Sequence, residues 1–240
     1  MLKQTWVILG ATSIIAESFA LRAASADCDL LLVGRDSTQL AIIAADIQLR
    51  YQVKCEVLFT DFAKDITALL DWMNEQAEEF NVLIAFSSLH ENPNLNPEKI
   101  AELIHVNVQS TVAIIHAYLK KPQTEHRLIF LSSVAACRGR AKNSLYGATK
   151  AAVDTYLTGL QQAASKHCHI TIARLGFIDT IQTFGKPGIF YASPPMACAK
   201  ACWNASYNDK KRIYHPFFWR YILAILCSLP FFLYRKMADL

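Results

Sequence analysis

Tyr146 and Lys150 stand four residues apart in Tyr146-Gly147-Ala148-Thr149-Lys150, where a long helical pattern begins. Residues at i and i+4 share one helix face. An ammonium beside a phenol favours the phenolate, which lowers the tyrosine pKa and makes the side chain a usable acid or base near neutral pH. Ser133 lies thirteen residues before Tyr146, just past the apolar run Leu128-Ile129-Phe130-Leu131. Its hydroxyl can hold a substrate oxygen. Asn107, in His105-Val106-Asn107-Val108, lies on the helix before that run. A Tyr and a Lys four apart are usually a solvated pair. Four such residues in this order, behind a phosphate-type turn, point to proton transfer to or from a carbonyl or an alcohol.

That turn closes the first apolar run. Gly10-Ala11-Thr12-Ser13-Ile14-Ile15-Ala16 leads from a strand into a helix. A dinucleotide site needs the backbone to approach a pyrophosphate there, with helix N–H groups and a positive dipole facing it. Gly10, Thr12, Ser13 and Ile15 are the expected cofactor contacts, with hydroxyls from Thr12 and Ser13 for phosphate. Only Gly10 is glycine: Ile14 and Ala16 occupy the places of the usual second and third glycines, so a plain strand–turn–helix stays open as a reading. The second strand ends at Gly34-Arg35-Asp36. An acid there would grip a ribose 2′-hydroxyl and select NAD(H), whereas an Arg can hold a 2′-phosphate. Arg35 therefore favours NADP(H), with NAD(H) as the alternative. The blander reading makes Arg35 a solvated loop charge and Asp36 a helix N-cap. Asp61, after the third strand, can accept from an adenine amino group or merely cap a helix.

Apolar runs alternate with helical patterns. Strands are expected over 6–9, 30–33, 53–59, 82–86, 127–131, 170–175 and 212–214. Helices are expected over 13–25, 36–51, 65–80, 97–119 and 144–165. Strands apolar throughout are covered on both faces. The expected fold is therefore α/β: a doubly wound, mostly parallel sheet of about seven strands of the Rossmann type, with ligands at the strands' carboxyl ends. At 240 residues and 53% hydrophobic, one domain is expected over 1–215, followed by an apolar, basic extension over 216–240. The seven cysteines include no C-x-x-C pair and read as buried free thiols of a reducing compartment. The first ten residues resemble a strand rather than a signal peptide. A cytoplasmic location, with no metal site, is the expectation.

Leu131-Ser132-Ser133-Val134-Ala135 and Tyr146-Gly147-Ala148-Thr149-Lys150-Ala151-Ala152 resemble the short-chain dehydrogenase/reductase superfamily, over roughly residues 5 to 215. The resemblance implies Tyr146 as general acid/base and Lys150 as its pKa partner and ribose-hydroxyl ligand. It implies Ser133 as the residue that orients substrate and Asn107 as holder of a relay water. Arg174-Leu175-Gly176-Phe177-Ile178-Asp179-Thr180 is similar to the family's Pro-Gly segment, which implies carboxamide contacts from Ile178 and Thr180. The chain departs from the family at two glycines of the first turn, at Ala85-Phe86-Ser87-Ser88 in place of Asn-Asn-Ala-Gly, and at Leu175 in place of Pro. The Gly-Ala-Thr-Ser start and the tail resemble bacterial reductases related to those acting on decaprenylphosphoryl keto-pentose.

The net charge is +4. From Lys200 onward seven basic residues stand against two acids, a local +5; the remaining 17 bases and 18 acids leave −1. No basic stripe runs through the body, which argues against nucleic acid. Residues 217–234 are apolar nearly all round, with Arg220 and Pro230 near the two ends, so a shallow membrane-surface element is favoured over a true span. A homo-oligomer interface, or a lid over a greasy substrate, is the other expectation. Two function classes follow: an NADP(H)-linked reductase of a small, bulky or lipid-linked carbonyl compound, located in the cytoplasm or on the inner face of a membrane, and a non-catalytic nucleotide-binding or regulatory module of the same fold.

Overall fold

The computed structural model describes residues 3–180 and 191–237. In chain order its elements are β1 (Thr5–Leu9), α1 (Ile14–Ala24), β2 (Asp29–Gly34), α2 (Ser37–Tyr51), β3 (Cys55–Phe59), α3 (Thr67–Glu75), β4 (Phe80–Ile84), α4 (Pro97–Ile104), α5 (Thr111–Lys120), β5 (His126–Ser133), α6 (Ser144–Ala163), β6 (Cys168–Leu175), α7 (Pro195–Tyr207), β7 (Arg212–His215), α8 (Trp219–Ser228) and α9 (Phe231–Arg235). The seven strands form one sheet in the order β3-β2-β1-β4-β5-β6-β7, with every neighbouring pair parallel. This is the doubly wound α/β sheet expected from the apolar runs.

The inner strands read apolar because both their faces are covered, whereas the edge strands β3 and β7 are largely open. On β1, Trp6 and Ile8 enter one core with Phe19 of α1, Leu40 of α2 and Trp203 of α7. Val7 and Leu9 enter the other with Met73 of α3, Ile114 of α5 and Leu157 of α6. That alternation is the pleat's period of two. After β3 the chain crosses over β2 and β1 to form β4, so the connections leaving β1 and β4 part at their carboxyl ends. An open α/β sheet forms its ligand crevice at such a switch point.

Three elements differ from the sequence expectation. The helix expected over 65–80 stops at Glu75 because Phe80 is already a strand residue, paired with Thr5 and packed on Trp72 and Tyr118. The helix expected over 97–119 is interrupted by a π turn at His105–Ser110, whose widened geometry shows in the Thr111 hydroxyl bonding back to the Val106 carbonyl at 3.2 Å. Such bulges are frequent at functional sites. Helix α7 has no counterpart among the expectations. Apart from Trp203, its buried face is made of small residues, Cys198, Ala199, Cys202, Ala205 and Ser206, the first three of which pack with the alanines of α1 but write a faint periodicity.

Past β7, α8 lies on the body through Trp219 and Leu223, which are buried with Val134 against Phe177 and Tyr214. Arg138 donates to the carbonyl oxygens of Leu226 and Leu229, the latter at 2.9 Å, and its guanidinium stacks 3.8 Å from the Tyr234 ring centroid. Phe217, Tyr221, Ile225, Phe231 and Phe232 stay exposed. Among the described residues no helix is long and apolar enough to cross a membrane. The seven cysteines are free, four of them buried.

Candidate active site

One cleft of about 690 Å³ opens at the switch point, and residues from both expected ends of the site line it. At one end, β1 turns into α1. Gly10 adopts φ +81°, and a Cβ there would sit 2.7 Å from the Phe86 nitrogen, so only glycine fits the turn. Its amide donates to the Val33 carbonyl at 2.8 Å, which ties the turn to β2. Ser13 is the N-cap of α1, its hydroxyl accepting from the Ala16 amide at 3.2 Å. Thr12, Ser13, Ile14 and Ile15 line the cleft, so the amino end of α1, with its uncompensated N–H groups and positive dipole, faces it. Ile14 lies about half exposed in the cleft, at 48%; Ala16 is fully buried against the sheet.

Both readings of Gly34-Arg35-Asp36 coexist. The Asp36 carboxylate accepts from the Gln39 amide at 2.9 Å and caps α2. Arg35 is exposed and lines the cleft beside Gln39. Asp61 likewise does two things. One oxygen accepts from the Ala63 amide at 3.1 Å, the other lies 3.4 Å from Lys64 Nζ, and the residue still borders the cleft. Beside it Phe62 and Phe86 stack with ring centroids 3.7 Å apart.

Ser133, at the carboxyl end of β5, and Tyr146 and Lys150, on the first turns of α6, line the other end. Lys150 is buried; its Nζ donates to the Leu131 carbonyl at 2.9 Å and lies 4.8 Å from the Phe130 ring centroid and 6.0 Å from that of Tyr146. Burial pulls its pKa down to about 8, with the Asp154 carboxylate opposing. The phenol of Tyr146 departs from the sequence expectation. Burial raises its pKa, while the hydroxyls of Ser133 and Ser87 pull it back. The ammonium does not offset burial because it is turned to the Leu131 carbonyl. The ring keeps some solvent access on the cleft wall, which tempers the rise.

Asn107 sits in the π turn, buried. Its amide nitrogen donates to the Ser88 carbonyl at 2.9 Å and to the Thr149 hydroxyl at 3.0 Å, and its oxygen accepts from the Ser88 amide at 2.7 Å. The side chain thus clamps the segment after β4 to α6, one residue from Lys150. Ile178 is buried and bridges to Ser193; with Thr180 it lines the cleft. Most of the segment 182–195, which follows Thr180 along the chain, lies outside the described residues.

Sequence reasoning passed over Ser87 and Ser88. Ser87 lines the cleft with Tyr146 and eases the phenol's pKa downward, and Ser88 donates to Glu102 Oε1 at 2.6 Å, with His90 on the other oxygen at 3.0 Å. Their position immediately past a strand's carboxyl end was the available signal. Asp154, eight residues after Tyr146, was passed over as well.

A parallel sheet of this order, with a Tyr–Lys pair on the wall of its switch-point crevice, defines a Rossmann-type oxidoreductase. The chain belongs to the short-chain dehydrogenase family, whose sequence model matches residues 4–184. It is 27% identical over 240 residues to an uncharacterized oxidoreductase of Mycobacterium tuberculosis, covering 96% of each chain. It is 24% identical over 241 residues to the very-long-chain 3-oxoacyl-CoA reductase of Laccaria bicolor, covering 92% of this chain and 70% of that one. A short-chain dehydrogenase from Sphingobium yanoikuyae, solved in complex with NADPH, has the same fold, with a TM-score of 0.82 over 89% of this chain and 88% of that one at 22% identity.

Proposed function

We propose that the protein reduces a bulky, apolar ketone to an alcohol with NADPH, Tyr146 giving the proton. The observation that carries this reading is the single cleft shared by the amino end of α1, Arg35 and the Ser133–Tyr146–Lys150 wall. The donor set suits the cofactor. Gly10 lets the turn come close, Thr12, Ser13 and the α1 amides suit a pyrophosphate, and Ile15, Asp61, Ile178 and Thr180 border the remainder. Arg35, held by no hydrogen bond or ion pair among the described residues, suits a 2′-phosphate. When bound, the nicotinamide supplies the hydride.

Lys150 would hold ribose hydroxyls. Ser133 would hold the ketone oxygen against the phenol, and Tyr146 would pass its proton to that oxygen as the C–O bond becomes an alcohol. A phenol kept protonated by burial is ready to donate. Asn107 holds the segment carrying Ser87 and Ser88 against α6. The apolar substrate is supported by Val134, Phe177, Trp219 and Phe218, which gather beside Ser133 and Gly176. The acyl-chain reductase among the relatives is in keeping with it. The exposed aromatic face of α8 and α9, flanked by Arg220, Arg235 and Lys236, would rest on an anionic membrane surface.

The test is to follow NADPH oxidation by the purified chain over ketones of graded bulk, beside fluorescence titration with NADPH and NADH. Turnover of bulky apolar ketones is expected. Binding of neither cofactor would overturn the reading in favour of a non-catalytic module.

A further inference from the structure

We propose that Asp154, held by Arg174, is a positioning residue that keeps the buried ammonium of Lys150 charged at neutral pH. Tyr146, Lys150 and Asp154 follow one another at i, i+4 and i+8 on α6, so all three fall along one helix face. The first two line the cleft, and the third lies one turn deeper. Lys150 and Asp154 are each 3% exposed. A buried aspartate is retained in a folded chain only with charge or hydrogen-bond partners. Asp154 Oδ2 has one, accepting from Arg174 Nε at 2.8 Å. Oδ1 is buried without a hydrogen-bond partner among the described residues, an acceptor left over on the helix face that also carries an ammonium.

The carboxylate is paired with the Arg174 guanidinium. Arg174 is anchored on its far side by donating to the Tyr214 hydroxyl at 2.9 Å, on the strand beside its own. The other titratable groups facing the pair are the Cys137 thiol, whose pKa burial raises and which stays neutral, and Arg212, one strand away. The opposite neighbour, Lys150, has only a carbonyl oxygen as hydrogen-bond partner among the described residues. A carbonyl supports an ammonium but carries no charge to balance it. The row Lys150–Asp154–Arg174 therefore alternates in sign, and among the described residues its middle member is the acid one helical turn from Lys150. Without it, desolvation alone would act on an amine already depressed to about 8.

The proposal rests on the reading of Lys150 as a site residue, yet its first test needs no turnover. With ¹⁵N-lysine labelling, and Lys150→Met to assign the signal, the Lys150 amine of the cofactor-free protein should titrate near 8. In Asp154→Asn the midpoint should fall by about one pH unit or more, and in Asp154→Glu it should stay close to the native value. In the pH profile of kcat/KM the alkaline limb should move acidward by the same amount. Activity would then drop about fivefold at pH 8 and less than twofold at pH 6. If Asp154→Asn does not fold, the double change Asp154→Leu with Arg174→Leu removes the pair as a unit, an exchange folds often tolerate, and should move the midpoint the same way. An unmoved Lys150 midpoint in a folded variant, or an equal loss of activity at every pH, would overturn the proposal. An unmoved limb with a shifted midpoint would instead count against the role of Lys150 in turnover.

Discussion

The Ser133–Tyr146–Lys150 wall of the crevice and the α8–α9 wall next to it are held in different ways. The first rides on β5 and α6, in the middle of the sheet. Its key amine is fixed by a strand carbonyl, and its helix is clamped through Asn107 to the segment after β4. The second is pinned by Trp219 and Leu223 on one side and by Arg138 at its far end, and it leaves a row of aromatic side chains uncovered. Chemistry that needs sub-ångström placement sits where packing is densest and hydrogen bonds cross between elements. The neighbouring wall, which needs only shape and greasiness, hangs on a few contacts. Changes in the first wall should therefore alter rate with little effect on binding, and changes in the second should alter what binds and where.

The sharpest way to break this contrast is Tyr146→Phe. The substitution keeps the ring and removes the proton that the proposed reaction uses, so turnover should fall by about 10²–10⁴-fold, with NADPH affinity and melting temperature near native. Retention of more than about a tenth of native kcat would shift the proton donor to another group and dissolve the distinction between the walls. The next effect belongs to the cofactor end. Arg35→Ala should weaken NADPH by about 10- to 100-fold, the worth of a charge-assisted contact, and leave NADH affinity unchanged. Equal losses for both cofactors would place Arg35 on something other than a 2′-phosphate.

Much of the first wall was legible in the sequence, and the reasons are local. The apolar strands, the turn at Gly10, and the Tyr146–Lys150 spacing are properties of consecutive residues, and the sheet follows from them. What stayed hidden is built by contacts across the chain. Asp154 looked like an ordinary helix residue until Arg174 arrived on β6, twenty residues later. Ser87 looked like loop polarity until α6 placed Tyr146 beside it. The expected downward pull of Lys150 on Tyr146 failed for the same reason. Spacing says that two side chains share a face, but only the fold says that the ammonium is turned to Leu131. Helix α7 was missed because alanine and cysteine pack well while signalling weakly.

Gly176 joins the two walls and should give an intermediate effect. It lines the cleft, and a Cβ on it would lie 1.9 Å from Trp219 Nε1. The indole is buried, so Gly176→Ala must displace the start of α8. A cost of about 1–3 kcal/mol is expected, seen as a fall of roughly 3–10 °C in melting temperature, together with altered KM for the bulkiest ketones. An unchanged melting temperature would mean that α8 is free to lift from the body.

The smallest effect on catalysis, and the clearest test of the second wall, comes from its outer face. Phe231 and Phe232 are 73% and 66% exposed, and Arg235 and Lys236 follow directly. Aromatic rings favour the head-group level of a bilayer, and each nearby base adds about 1 kcal/mol on an anionic surface. Truncation after His215 would be a poor probe, because removing Trp219 and Leu223 uncovers Val134 and Phe177 next to Ser133. Phe231→Ser with Phe232→Ser leaves that inner face intact. The native chain should co-sediment with phosphatidylserine-containing liposomes at low salt and come off as salt rises. The double variant should lose most of that binding, by about tenfold, while its kcat on a water-soluble ketone stays native. A second copy of the chain could cover the same face instead. In that case the native protein would stay in the supernatant as a stable oligomer, the double variant would run as a smaller species, and the outer face of α8 and α9 would be a subunit interface rather than a membrane one.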